Sequence, residues 1–95
     1  EVLTKLPNKY NKKEDLIKDI SHVHAELLFI HPFREGNGRT ARILANLMAR
    51  KQNYDPLKFN LISGQEFESY VIAVQSSADK NYVKMEKLIS FIFPD

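Results

Sequence analysis

The chain contains no cysteine, which excludes disulfide staples, zinc–thiolate centres and thiol nucleophiles and fits a reducing compartment. No uninterrupted apolar run approaches the ~20 residues that a membrane span needs, and no secretory signal pattern is present. Internal repeats and low-complexity tracts are also missing. Nor is there a strong bias of charge: 14 basic against 12 acidic side chains leave a formal net charge of +2. That balance tolerates anionic ligands without calling for nucleic acid, because the basic residues are scattered along the chain rather than gathered on one element. With 95 residues there is room for one small domain and a modest core. The first residue is Glu1 rather than methionine, so residues 1–95 are expected to be the core of one domain cut from a longer protein.

What is present has an ordinary soluble composition, 43% hydrophobic and 27% charged. Residues 1–10 read as an irregular lead-in around Pro7. Helical spacing of Leu16, Ile20, Val23, Leu27 and Ile30 predicts a helix over 12–30, opened by a variant capping box at Asn11 and Glu14 and stopped before Pro32. His31 to Gly38 reads as a tight loop. A second helix is expected over 39–52, burying Ile43, Leu44, Leu47 and Met48. After a connection holding Pro56, Ser63 and Glu66 predict a capping box for a third helix with Phe67, Tyr70, Val71 and Val74 on one face. A break at 79–81 precedes a last helix with Met85, Leu88, Ile89 and Ile92 at helical spacing, closed by Pro94. The fold class is all-α.

The second helix carries its charges at the wrong end. A helix N-terminus is a positive pole and favours acidic side chains, yet Arg39 and Arg42 stand there on one face. A bound anion would turn each of those repulsions into an attraction. Gly36, Asn37 and Gly38 just before them suit an anion-cradling nest of backbone N–H groups, and arginine's planar fork suits phosphate. Taken alone, the same residues describe a glycine turn followed by two solvated arginines. Glu35 beside such a cradle would repel a polyphosphate unless a divalent cation intervened, and Mg²⁺ is commonly held by a carboxylate plus phosphate oxygens. The bland alternative is an ion pair with Arg34 or Arg39. His31, at the end of the first helix, offers a neutral imidazole near neutral pH as a general base toward a hydroxyl, or simply a cation at a helix's negative pole. His22 and His24 lie too close in sequence to share an ion on a helix, and His24 stands two turns, ~10 Å, from His31, so His24 is assigned a structural role.

The segment His31 to Arg42, HPFREGNGRTAR, resembles the active-site motif of the Fic (Fido) family, H-x-F-x-(D/E)-G-N-G-R-x-x-R, matching it at His31, Phe33, Glu35, Gly36, Asn37, Gly38, Arg39 and Arg42. His24, Asn46 and the later helices with Tyr70 extend the likeness from about Asp15 to the C-terminus. The resemblance implies a Fic-fold helical bundle and a protein adenylyltransferase that moves AMP from ATP to a Tyr, Thr or Ser hydroxyl of a target protein, releasing pyrophosphate. In that family pattern His31 is the general base, Glu35 binds Mg²⁺, Gly36, Asn37 and Gly38 hold the α- and β-phosphates, and Arg39 and Arg42 grip the polyphosphate. Phe33 anchors the loop in the core, and Tyr70 borders the adenine. The flap hairpin that docks the target would lie largely outside the chain, with Val2 to Leu6 as a stub. The inhibitory motif (S/T)-x-x-x-E-(G/N) is absent at every glutamate that can be checked, which leaves an upstream copy, a separate antitoxin-type inhibitor as in bacterial toxin–antitoxin pairs, or another form of regulation. The expected location is the cytoplasm of its own cell or of one into which it is delivered.

Two rival readings stand beside this one. Relatives on the same fold transfer phosphate, UMP or phosphocholine, although the intact Gly36-Asn37-Gly38-Arg39 favours AMP. A non-enzymatic basic helical module is the second, and the largely apolar second helix speaks against it.

Overall fold

The computed structural model describes residues 9–30 and 37–94. Four α-helices carry the described chain: α1 Lys13–Ile30, α2 Asn37–Lys51, α3 Gln65–Ser76 and α4 Val83–Ile92. Short 3-10 turns at Phe59–Leu61 and Ser77–Asp79 complete it, and no strand occurs among the described residues, in keeping with the all-α expectation. Helix α1 is the centre, packed against α2, α3 and α4.

The apolar spacing of α1 places Leu16, Ile20 and Val23 in the core and leaves Leu27 half-buried; the side chain of Ile30 lies outside the described residues. Its start departs from expectation. The Lys12 carbonyl accepts from the N–H groups of Asp15 and Leu16, at 3.2 and 3.4 Å, so Lys12 is the capping residue and Asn11 stands one position too early to form a box with Glu14. Glu14 and Asp15 in the first turn suit the positive pole there.

Helix α2 begins two residues before the expected 39, so Asn37 and Gly38 belong to its first turn rather than to the loop. Its buried face also differs. Ile43 and Leu47 are 52% and 56% exposed, and Leu44 and Met48 are half-buried, whereas Ala41, Ala45 and Ala49 are in the core. These alanines recur every four residues and so form one row along the helix. A row without bulk lets α2 lie close to α1, where Ala25 is fully buried. The larger side chains carry more apolar surface, but only the small ones fit the space between two backbones. At its C-terminus Asn53 takes the left-handed conformation (φ 70°), and the Tyr54 N–H reaches back to the Ala49 carbonyl at 3.0 Å, a Schellman-type closure.

The capping box expected at Ser63 and Glu66 does not form. Gly64, at φ 56° and ψ −120°, takes the capping position without any side-chain bond, and Ser63 contributes only its carbonyl, which accepts from the Glu66 N–H at 3.1 Å. That backbone region is open to glycine and hostile to other residues, so the glycine moves the helix start one position past the serine. Within α3 the core contact is Ala73, with Tyr70 and Val74 half-buried; Phe67 and Val71, expected on the buried face, are exposed. Here again a small side chain makes the close contact and its bulkier neighbours flank it. The expected break falls where it should, with Lys80 left-handed at φ 60°. In α4 Met85, Leu88, Ile89 and Ile92 are all buried, as their spacing predicts. The Lys58 N–H donates to the Ile92 carbonyl at 2.7 Å and ties the long connection to the end of α4.

Candidate functional site

Of the residues expected to act, His31, Phe33, Glu35 and Gly36 lie outside the described residues, as does the side chain of Asn37. Gly38, Arg39, Arg42 and Tyr70 are described. The first turn of α2 holds no acidic residue, and among the described residues neither Arg39 nor Arg42 meets a carboxylate within ion-pair distance. Arg42 lies one helical turn beyond Gly38 and folds its guanidinium back over it. A Cβ added to Gly38 would stand 3.2 Å from the Arg42 terminal nitrogen. Gly38 is therefore helical, and its missing side chain makes room for a cation at a helix N-terminus, where backbone amides without helical partners also point.

Arg42 also forms one wall of a cleft of about 300 Å³, completed by Phe59, Asn60, Ile62, Phe67 and Tyr70. Tyr70 and Arg42, distant in sequence, thus line one space, while Arg39 is exposed and does not line it. Phe59, Asn60 and Ile62 come from the connection between α2 and α3, where no periodic pattern drew attention to them. A cluster of aromatic side chains around a loop was the available signal. Two wider grooves, of about 410 and 440 Å³, are lined by residues of α1, α3 and α4 and include none of the motif.

The back of the cleft is held by His24. Its ring is buried, with Nδ1 3.1 Å from the Ala41 carbonyl and Nε2 2.5 Å from the Tyr70 hydroxyl. One imidazole thereby joins the first turns of α2 to α3. Burial pushes the His24 pKa down from 6.5 to about 4; the Ala41 carbonyl opposes that, and the nearby Arg42 charge reinforces it. Burial likewise pushes the Tyr70 hydroxyl up to about 12, with Arg42 pulling the other way. Phe59 and Tyr70 flank the imidazole, their ring centroids 5.4 and 5.7 Å from it. The structural role expected of His24 is the one it has. Asn46 is structural too: its side-chain oxygen accepts the N–H of buried Leu57 at 2.9 Å and so fixes the connection that supplies Phe59 and Asn60.

His22 takes no part in this site. It stacks on Tyr82, ring centroids 4.0 Å apart, and sits 3.2 Å from Glu86, while the Tyr82 hydroxyl donates to Glu26 at 2.7 Å. Among the described residues no group of His, Asp or Glu is arranged to hold a metal, and no helix is long and apolar enough to cross a membrane.

Comparison with known proteins agrees with the motif. Residues 1–49 match the Fic/DOC family, a stretch that contains His31 to Arg42 and ends short of Tyr70. A protein adenylyltransferase fic-1 of Caenorhabditis briggsae is 42% identical over 43 residues, which are 45% of this chain and 8% of that protein. A protein adenylyltransferase Fic of Nematostella vectensis is 35% identical over 48 residues, 50% of this chain and 11% of the relative, and one of Aedes aegypti is 42% identical over 41 residues. The matched segment thus spans about a tenth of the length of these curated relatives. The relatives are eukaryotic and give no support to a bacterial toxin–antitoxin setting. No solved structure matches the chain. An all-helical fold, a complete motif from His31 to Arg42 and a family match across half of the sequence lead to one conclusion: this chain belongs to the Fic/DOC family.

Proposed function

We propose that the protein is an adenylyltransferase that moves AMP from ATP to a hydroxyl side chain of a target protein. The observation that carries this reading is the position of Arg42, whose guanidinium lies over Gly38 at the start of α2 and at the same time walls the aromatic cleft containing Tyr70. A phosphate-gripping fork beside a slot lined by aromatic rings is what a nucleotide requires, because its two ends are anionic and flat. The family match over residues 1–49 includes the motif, and relatives with which the chain shares 35–42% identity over 43 to 48 residues are adenylyltransferases by name.

In this reading His31 takes the proton of the incoming hydroxyl, whose oxygen forms a bond to the α-phosphorus as the bond to the bridging β-phosphate oxygen breaks. Pyrophosphate leaves. Gly36, Asn37 and Gly38 present backbone N–H groups to the phosphates, and Arg39 and Arg42 carry the charge that develops on them. Phe33 anchors the loop, and Tyr70 borders the base. A single carboxylate, Glu35, fits Mg²⁺ held otherwise by phosphate oxygens and water. Bound there, the ion would supply positive charge to the polyphosphate. Binding and orientation by fixed groups are the chain's own contribution.

The test uses ATP labelled at the α- or the γ-phosphate, Mg²⁺ and a cell lysate as a source of target. The α-label should appear on protein, vanish in His31→Ala and fall about a hundredfold in Arg42→Ala, the scale for loss of one charge-stabilising donor. Transfer of the γ-label alone would refute the reading and favour phosphate transfer. Unaltered kinetics in Arg42→Ala would remove that arginine from the site.

A further inference from the structure

The cleft has a chemical direction that the motif does not encode. The Ala41 carbonyl can only accept, so the His24 nitrogen facing it, Nδ1 at 3.1 Å, carries the proton. A second proton on Nε2 would place a cation in a fully enclosed position beside Arg42. The ring is therefore neutral and Nε2 is a bare lone pair. It accepts from the Tyr70 hydroxyl at 2.5 Å. Tyr70 has one O–H, and His24 consumes it. Whatever part of the Tyr70 oxygen the cleft reaches is a lone pair, able to accept and not to donate.

The other polar walls do not share this restriction. Arg42 only donates, and so takes phosphate or another anion, while the Asn60 amide can do either and discriminates little. The cleft thus pairs a donor at Arg42 with a fixed acceptor at Tyr70. We propose that His24, a positioning residue that touches no ligand, makes Tyr70 an obligate acceptor and so sets the preference of the cleft for a base bearing an amino group over its keto counterpart. This rests on the nucleotide reading above and goes beyond it, since it assigns base selectivity to a buried histidine on α1 and its half-buried tyrosine partner on α3. Adenine presents an exocyclic amine, whereas hypoxanthine presents a carbonyl oxygen at the same position, which would meet the Tyr70 oxygen lone pair to lone pair.

The experiment compares calorimetric binding of Mg²⁺-ATP and Mg²⁺-ITP, which differ at that position, to the whole protein and to Tyr70→Phe and His24→Phe. Wild type should favour ATP by about tenfold or more, the scale of one hydrogen bond made against one refused. Tyr70→Phe, which keeps the ring, should bring the ratio near one by weakening ATP and sparing ITP. Folded His24→Phe should also bring the ratio near one, but by strengthening ITP and sparing ATP, because the freed hydroxyl can then donate as well as accept. Nitrogen NMR of wild type supplies a readout that does not depend on the variants, with His24 protonated at Nδ1 and bare at Nε2. Equal binding of the two nucleotides by wild type, a ratio preserved in Tyr70→Phe, or the opposite tautomer would each overturn the proposal while leaving the nucleotide reading intact. Binding of neither nucleotide would overturn both.

Discussion

Acid should unfold this protein through His24 before most of its charges matter. The His24 side chain is enclosed and has a pKa near 4, against 6.5 when free in water. Between those values the unfolded chain binds a proton that the folded chain refuses, so stability rises with pH across the window. The contribution is complete above 6.5, declines as pH falls through the window, and levels off only below about 4. The difference between 6.5 and 4 corresponds to roughly 3 kcal/mol, a large share of the stability of a small domain. Urea denaturation of wild type and His24→Gln at pH 7 and pH 4 measures it, since carboxylate effects are common to both and cancel in the comparison. Wild type should lose more stability than the variant by about that amount, and an imidazole NMR titration should place the His24 midpoint well below the ordinary value. Equal losses in the two proteins, or a midpoint near 6.5, would refute the assignment of a buried neutral ring.

Further outcomes follow from the packing. Ala45→Leu should cost about 1–3 kcal/mol or more by wedging α2 away from α1, while Leu47→Ala, which removes a larger but exposed side chain, should stay within about 0.5 kcal/mol; thermal denaturation of both checks the order. Asn46→Ala strands the N–H of buried Leu57 and should cost about 1–3 kcal/mol, with faster hydrogen exchange at that amide.

The sequence announced the helices and the motif more clearly than the way they meet. Helix α4 was legible because Met85, Leu88, Ile89 and Ile92 face several neighbours at once, so bulk and burial coincide. In α2 they part company. Hydropathy ranks Ile43 and Leu47 above Ala41, Ala45 and Ala49, but backbone-to-backbone approach is a steric requirement that a count of apolar surface does not register. The same applies at Gly64, where the dihedral preference of one glycine outweighed a plausible serine–glutamate box. For the site, the spacing of Gly38, Arg39 and Arg42 points to an anion, whereas Tyr70 reads as one residue of an apolar helix face and joins the site only through family likeness. Its placement across from Arg42 depends on the course of the chain between α2 and α3, held by Asn46, which no local pattern specifies. The imidazole joining Ala41 to Tyr70 is a tertiary contact between three helices; family likeness and helix geometry marked His24 as structural, but no local pattern specifies its partners.

The seam of alanines bears on how finely this protein can be tuned. Bulky interdigitating side chains can take up small changes by switching rotamer, but a methyl group has no other rotamer to adopt. Any shift of α2 along α1 is therefore passed on undamped to the carbonyl of Ala41, through the imidazole, and out to the phenol across the slot. The exposed Ile43 and Leu47 on the outer side of α2 have room to change, yet the gap between guanidinium and tyrosine is gauged by parts too small to adjust.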